Sequence, residues 1–326
     1  MITAKVPLRI SFFGGGTDIP LFYKKNEYGC VFSSSINKYL YISVKKHSNF
    51  FKEKYRLNYS ISETCNNIND IQNDIFREII KYFKVKDNLY ISTISDAPSS
   101  SGLGSSSALI VGLFMIFNKL YNLKLSKKKI IEDAAQFEIK RISKSIGKQD
   151  HYSTFYSGVK LIKFFSNEKV LIKKINFLRF KKKIETNLLF FWTGIQRDAN
   201  LVLNNQNNNI RQNLDGLNKL KFMTLEVFNK AKKNRIKFDE FGGYMHRSWL
   251  IKRSFSKKIS NNYINKCYKE AIKIGAYGGK ILGAGGGGFL MIVANKKNHK
   301  KIINKMTRLK LENIPIELVN EGPKLL

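Results

Sequence analysis

The spacing of apolar residues predicts a chain that opens with strands and then mixes strands with helices. Period-two or continuous apolar runs indicate strands at residues 4–12, 29–36, 39–45, 88–94, 158–165, 169–175 and 187–192. Helical spacing starts at about Ser105 and again over residues 127–143, and residues 147–150 are predicted to form a tight turn after the second helix.

The second half of the chain is predicted to be largely helical over residues 198–274. An asparagine-rich run at 204–209 predicts a flexible loop, and Gly242-Gly243 predicts a break. Further strands are expected at 278–282, 287–294 and about 314–319, with a basic helix before the last of them. Strand-rich blocks with irregularly inserted helices indicate two α+β domains, predicted here as residues 1–180 and 181–326.

Composition indicates a globular chain, since 326 residues with 43% hydrophobic content can bury a substantial core. The longest apolar runs are too short to span a bilayer, and no charged-then-apolar leader precedes the first strand. We therefore expect a cytoplasmic protein with no membrane partner. Cys30, Cys65 and Cys267 have no pairing pattern, which argues against a disulfide framework or a zinc site.

The net charge of +34, from 58 Lys and Arg against 24 Asp and Glu, is typical of a protein that binds nucleic acid or an anionic membrane. The excess is spread from Lys24 to Lys324, however, and no nucleic-acid-binding motif accompanies it. We therefore predict no nucleic-acid partner. A general attraction for phosphorylated substrates is a secondary consequence of the charge.

A small-residue loop, Asp96-Ala-Pro-Ser-Ser-Ser-Gly-Leu-Gly-Ser-Ser-Ser-Ala108, runs directly into an apolar helical stretch. Gly102 and Gly104 let a ligand approach the backbone, and residues 105–107 lie where a helix exposes unpaired N–H groups and its positive dipole end. The loop therefore predicts a phosphate cradle. A glycine-serine loop with a serine N-cap is the alternative that these residues alone leave open.

Two common phosphate-handling designs are excluded. Neither Gly147-Lys148 nor Gly279-Lys280 is followed by Ser or Thr, so no Walker A motif is present, and the protein-kinase motifs are also missing from the sequence.

Three segments, residues 7–18, 98–108 and 278–289, resemble the three motifs of the GHMP kinase superfamily. The triple glycine before Thr17-Asp18, the Gly-Lys-Gln-Asp turn and the glycine-rich third motif look most like the D-glycero-D-manno-heptose 7-phosphate kinases within it. The resemblance implies a two-domain α+β fold, with an N-terminal ribosomal-protein-S5-like domain, a C-terminal ferredoxin-like domain and the active site between them.

The resemblance implies ATP and Mg²⁺ as cofactors, Asp150 as catalytic base and Arg9 as its catalytic partner beside the transferred phosphoryl group. Mg²⁺ would be held by Ser106 and Glu138, which are hard oxygen donors. The implied nucleotide-binding residues are Pro98, Ser99, Ser100, Ser101, Gly102, Leu103, Gly104, Ser105, Ser106 and Ser107. Without the motifs, Glu138 reads as a helix residue paired with Arg141, and Asp150 as a turn cap.

Sugar recognition is also implied by resemblance, because Asp18 alone could equally stabilise its own turn. The substrate-binding residues expected on this basis are Gly16, Thr17, Asp18, Lys148, Arg197, Gly285 and Gly286. A phosphate on the sugar needs a cationic pocket, for which Lys280, Arg197, Lys252 and Arg253 are candidates. The family usually has Gln where this chain has His151, and no role is assigned to that histidine.

These expectations describe a kinase that phosphorylates the anomeric hydroxyl of D-glycero-D-manno-heptose 7-phosphate, giving the 1,7-bisphosphate for nucleotide-activated heptose synthesis. One alternative is a kinase for an unphosphorylated sugar of the fucose or galactose type. Another is a non-catalytic sensor of a sugar or nucleotide. The oligomeric state is open, and a homo-oligomer is compatible with the sequence.

Overall fold

The computed structural model describes residues 1–196 and 199–326. The strands are β1 (Ile2–Phe13), β2 (Tyr28–Lys46), β3 (Tyr55–Asn58), β4 (Ser62–Cys65), β5 (Leu89–Ser95), β6 (Val159–Phe165), β7 (Val170–Lys174), β8 (Leu188–Trp192), β9 (Ala276–Ile281), β10 (Phe289–Ala294), β11 (Glu312–Asn313), β12 (Leu318–Val319) and β13 (Lys324–Leu325). The helices are α1 (Pro20–Tyr23), α2 (Asp74–Tyr82), α3 (Ser105–Leu120), α4 (Lys127–Gln136), α5 (Gln149–Phe155), α6 (Phe177–Ile184), α7 (Ala199–Asn208), α8 (Leu214–Lys232), α9 (Phe238–Ser254), α10 (Asn262–Lys273) and α11 (Lys296–Arg308).

The larger sheet is organised around β2, which is 19 residues long. Its first half pairs with β6, its second half pairs with β5, and β1 lies antiparallel along both halves. The prediction of two strands at 29–36 and 39–45 was therefore wrong, because the two segments form one continuous strand. The polar residues Asn37 and Lys38 mark the place where β2 changes partner, and the chain contains no Gly or Pro there to end a strand.

Helix α3 covers the inner face of this sheet and is buried along most of its length. Gly112 permits the close approach, because a Cβ at this position would lie 2.3 Å from Ile42 Cδ1 and 3.0 Å from Val6 Cγ2. The packing fixes the start of α3, and therefore the loop before it, against the end of β1.

The smaller sheet has the order β11-β8-β10-β9, and β10 is buried at every position. Helix α9 packs on β9 through Gly242, where a Cβ would lie 2.4 Å from Tyr277 Cβ. The predicted break at Gly242-Gly243 was wrong, since both glycines lie inside α9 and the first is needed for helix–sheet contact. The predicted loop at 204–209 was also wrong, because α7 runs through Asn208.

The chain's last strands return to the larger sheet. β12 pairs with β2 and β13 pairs with β1, although the predicted division assigned them to residues 181–326. The division near residue 180 stays a prediction, while the α+β organisation is confirmed. In the described parts of the chain, none of the helices combines the length and apolar character needed to cross a bilayer.

Candidate active site

A cavity of about 200 Å³ opens where the end of β1, the start of α3, the start of α5 and the glycine-rich segment after β9 meet. It brings together predicted site residues from four separate parts of the sequence, namely Arg9, Gly16, Asp18, Ser100, Gly102, Gly104, Ser105, Ser106, Ser107, Glu138 and Asp150. Lys144, Gln149, Gly283 and Ala284 also line it although the sequence did not single them out as site residues, and so does Lys252, one of the candidates for the phosphate of the sugar.

The glycine-serine loop takes the conformation that its glycines allow. Gly102 and Gly104 have φ angles of +87° and +81°, and Gly104 caps the start of α3. The loop is also bonded to the first residue of β10, because the Ser101 carbonyl accepts a hydrogen bond of 3.2 Å from the Phe289 N–H. Of the expected nucleotide residues, Pro98, Ser99, Ser101 and Leu103 do not reach the cavity wall.

Arg9 connects three parts of the site through its guanidinium group. Its Nε donates to Asp150 Oδ1 at 2.8 Å and its Nη2 donates to Asp150 Oδ2 at 2.6 Å, while Nη1 donates to the Gly102 carbonyl at 2.6 Å. Arg9 is only 3% exposed, so this bidentate pair is shielded from water on the arginine side. The Asp150 carboxylate is thereby fixed beside the loop.

Asp150 lies in the first turn of α5, and the expectation that it sits in a tight turn was wrong. Gly147, just before the helix, permits a close approach to Asp18, because a Cβ at this position would lie 1.9 Å from Asp18 Oδ2. Because the helix begins at Gln149, the side chain of Asp150 is held by a regular element.

Glu138 is 1% exposed and lies in a π-helical turn, Phe137–Arg141, that continues α4. Ser106 Oγ donates to its Oε1 at 2.5 Å, and Ser107 Oγ donates to its Oε2 at 2.7 Å. Burial alone would raise the pKa of Glu138, but the nearby His151, Lys144 and Ser106 lower it to about 2. Glu138 is therefore a buried carboxylate anion, and its alternative partner Arg141 instead donates to Glu78.

Two cationic or donor side chains at Glu138 were missed by sequence reasoning. Lys144 Nζ donates to Ser106 Oγ at 3.0 Å and lies 3.7 Å from Glu138 Oε1. His151 Nε2 lies 2.8 Å from Glu138 Oε2, and His151 is fully buried. The signals for His151 in the sequence were its position directly after Asp150 and its departure from the Gln that is usual in the family.

Asp18 is buried, and both of its carboxylate oxygens accept main-chain N–H groups. Gly16 N donates to Oδ1 at 3.0 Å and Gln149 N donates to Oδ2 at 3.2 Å. Burial, and secondly the charge of Asp150, raise the pKa of Asp18 to about 6. The bond from Gly16 is the one that the turn-stabilising alternative expects, whereas the bond from Gln149 joins the turn to the start of α5, and Asp18 also lines the cavity. Thr17 does not, since its hydroxyl bonds to the main chain at Gly14 and Cys30.

The four cationic side chains expected to bind the phosphate of the sugar lie in different places relative to the cavity. Lys252 lines the cavity and its Nζ donates to the Gly283 carbonyl at 2.8 Å. Lys280 is buried beneath it, where burial and then the charges of Lys252 and Arg9 hold its pKa well below the usual value. Arg253 points to Asn265, and Arg197 lies outside the described residues.

Three further expected substrate residues are not part of the cavity wall. Lys148 Nζ donates to Glu168, a contact with a neighbouring hairpin. Gly285 and Gly286 lie against Ile259, whose carbonyl accepts from Gly286 N at 2.7 Å, while Gly283 and Ala284 face the cavity. The structure therefore does not bring Lys148, Gly285 or Gly286 to the wall.

The donor set fits a magnesium ion carried by a nucleotide. Ser106 Oγ and Glu138 Oε1 are two hard oxygens that converge at the cavity. Over residues 1–196 and 199–326, no cluster of three or more His, Cys, Asp or Glu side chains could hold a metal by itself. Such a site suits Mg²⁺, which keeps waters and phosphate oxygens among its ligands and needs only one or two protein groups.

Comparison with known protein families gives matches in both halves of the chain. A family model described as the GHMP kinases N terminal domain matches residues 71–158, and one described as the GHMP kinases C terminal matches residues 231–312. Together the two matches cover just over half of the chain.

Individual relatives are similar over nearly the full length. A D-glycero-alpha-D-manno-heptose 7-phosphate kinase from Campylobacter jejuni is 29% identical, with 94% of this chain and 93% of the relative covered. A galactokinase from Pyrococcus furiosus is 23% identical, with the same coverage of 94% and 93%. The crystal structure of a D-glycero-D-manno-heptose 1-phosphate kinase from Bacteroides thetaiotaomicron superposes with a TM-score of 0.79 at 20% identity, covering 100% of this chain and 99% of that one.

Proposed function

The chain belongs to the GHMP kinase family, and from that premise we propose that it transfers the γ-phosphoryl group of ATP to the anomeric hydroxyl of D-glycero-D-manno-heptose 7-phosphate. Membership of this family makes the protein a small-molecule kinase that uses ATP. The proposed product is the 1,7-bisphosphate, a precursor for nucleotide-activated heptose.

One observation carries the proposal, namely the bidentate Arg9–Asp150 pair beside the Gly102–Gly104 loop in a single cavity. Phosphoryl transfer depends on positioning and charge stabilisation more than on covalent chemistry. The loop and the start of α3 supply main-chain N–H groups for the phosphates. Asp150 is the proposed base, which accepts the proton of the acceptor hydroxyl, and Arg9 orients its carboxylate and offers positive charge beside the transferred group.

Ser106 and Glu138 are the proposed magnesium ligands. When bound, the metal neutralises charge on the β- and γ-phosphate oxygens. Lys144 lies next to both proposed ligands, since its amino group donates to Ser106 Oγ and is 3.7 Å from Glu138 Oε1. The same amino group is therefore close enough to contact phosphates that bind beside these ligands.

Lys252 is the proposed contact for the 7-phosphate, since it is the candidate cation that lines the cavity. A K252M variant should raise the KM for heptose 7-phosphate by about tenfold or more, as expected for the loss of a charge-assisted bond, and leave the KM for ATP unchanged. R253M is the matched control, because Arg253 is the next residue and donates to Asn265 instead. Equal effects of the two variants would remove Lys252 from the phosphate site.

A substrate panel tests the proposed acceptor. ADP release would be measured with heptose 7-phosphate, free heptose, galactose and fucose, and the product would be examined by phosphorus NMR for an anomeric phosphate. We expect turnover on heptose 7-phosphate and a second phosphorus signal at the anomeric position. Turnover on a free hexose with none on heptose 7-phosphate would eliminate the proposal.

The similarity to a galactokinase over almost the whole chain favours the second candidate, a kinase for an unphosphorylated sugar. That candidate predicts that K252M has no effect on the KM of the preferred sugar. The panel and the variant therefore distinguish the two acceptors independently.

A further inference from the structure

His151 is a buried polar side chain that the proposed chemistry does not use. It lies on α5, directly after Asp150, and is completely buried. Its Nε2 lies 2.8 Å from Glu138 Oε2. Both ring nitrogens are buried, and neither makes a hydrogen bond of regular geometry with a residue that the structure describes. The 2.8 Å approach of Nε2 to Glu138 Oε2 is therefore the close polar contact of the ring.

The two oxygens of Glu138 have different surroundings. Oε2 contacts Ser107, which is 2% exposed at the cavity wall, and His151, which is fully buried and does not line the cavity. Oε1 contacts Ser106 and Lys144, which both line the cavity. His151 thus contacts Oε2 from outside the cavity, while both contacts of Oε1 are with side chains of the cavity wall.

We propose that His151 is a positioning residue that fixes Glu138, so that Oε1 faces the cavity together with Ser106 as a preorganised pair of magnesium ligands. The inference rests on the proposed role of Glu138 as a metal ligand. It gives α5 two functions, because neighbouring residues of one helical turn place the proposed base and orient the proposed ligand. Hydrogen bonds to a ligating carboxylate from groups outside the coordination sphere commonly contribute 10- to 100-fold to metal affinity.

Three variants separate this role from simple packing. H151L keeps an apolar side chain of similar bulk but lacks a donor, whereas H151Q retains an amide N–H that can reach Oε2. T154V is the matched control, since Thr154 is equally buried on the same helix and its hydroxyl has no bonding partner in the described residues. Thermal unfolding of each variant would show whether it is folded.

The readout is Mn²⁺ binding to the protein with β,γ-imido-ATP, followed by electron paramagnetic resonance, with binding of the same nucleotide in EDTA measured separately. We expect H151L to weaken Mn²⁺ binding by about tenfold or more and to leave the metal-free nucleotide affinity unchanged. H151Q should stay within about threefold of the natural protein, and T154V should be indistinguishable from it.

Several outcomes would overturn the inference. Natural Mn²⁺ affinity in a folded H151L protein would show that Glu138 is oriented without His151. If H151L does not fold, H151N replaces it, because the shorter amide cannot span the same distance; affinity equal to that of H151Q would then contradict the proposal. Failure of the natural protein itself to bind Mn²⁺ with the nucleotide would instead refute the proposed kinase site.

Discussion

Replacing Arg9 by lysine tests whether the guanidinium fork, and not merely a positive charge, organises the site. Arginine makes three side-chain bonds here, two to Asp150 and one to the Gly102 carbonyl. A lysine at this position keeps the charge, but its single ammonium cannot reproduce the two parallel bonds to the carboxylate. The variant therefore removes geometry while largely conserving electrostatics.

The expected magnitude follows from the bonds that are lost. A hydrogen bond to a charged group contributes about 1.5–3 kcal/mol, and R9K loses at least one to Asp150 and the one to the Gly102 carbonyl. Asp150 is 23% exposed, so water replaces part of what is lost, and about 3 kcal/mol is a suitable total. If that energy is used to hold the base in place, kcat falls by about 100-fold. R9M also removes the charge and should lose about tenfold more.

Steady-state kinetics at saturating ATP and sugar would measure kcat, and isothermal titration would measure nucleotide affinity, which should change little in R9K. R56K is the matched control, because Arg56 pairs with Glu53 at the surface away from the cavity. A kcat for R9K within about threefold of the natural value would correspond to less than 1 kcal/mol. That result would refute the view that the paired guanidinium bonds place Asp150.

Three further predictions follow from single residues. D150N should reduce turnover by about a thousandfold or more while titration calorimetry finds natural affinity for an ATP analogue; retained turnover would remove Asp150 from the mechanism. Because the pKa of Asp18 is raised from 3.8 to about 6, the folded state binds this proton more tightly than the unfolded chain. Its contribution to stability is therefore lost as pH rises through 6, and the unfolding free energy of the natural protein minus that of D18N should fall by roughly 2.5 kcal/mol between pH 4 and 7; a flat difference would contradict this. G242A should lower the melting temperature because its Cβ would meet Tyr277, whereas G243A, with nothing within 4 Å, should stabilise by about 0.5–1 kcal/mol; equal shifts in the same direction would count against the packing argument.

Features encoded by local patterns were predicted well from the sequence. The start of α3 at Ser105 and the hairpin of β6 and β7 follow from glycine punctuation and alternating apolar residues. The continuity of β2 could not be predicted, because it depends on which neighbours pair with each half of the strand. Gly242 likewise reads as a break until the strand that packs against it is known.

The candidate site shows the same limit at the level of side chains. Arg9, Ser106, Glu138 and Asp150 belong to recognisable motifs, and the structure brings them to one cavity. Lys148 belongs to a motif as well, yet its ammonium pairs with Glu168, twenty residues further along the chain. A pattern gives the position of a side chain along the backbone, whereas its direction depends on partners that are distant in sequence.

The distribution of charge within the cavity bears on how the protein binds anions. The described residues lining it include three cations, Arg9, Lys144 and Lys252, and three carboxylates, Asp18, Glu138 and Asp150. The lining is therefore close to neutral, although the whole chain carries +34. The overall charge raises the local concentration of anionic substrates, an effect that salt screens. If Glu138 is a magnesium ligand as we propose, affinity for a triphosphate comes from main-chain N–H groups, from Lys144 beside that ligand and from positive charge that enters with the nucleotide. The orientation of Glu138 then matters more than the number of lysines.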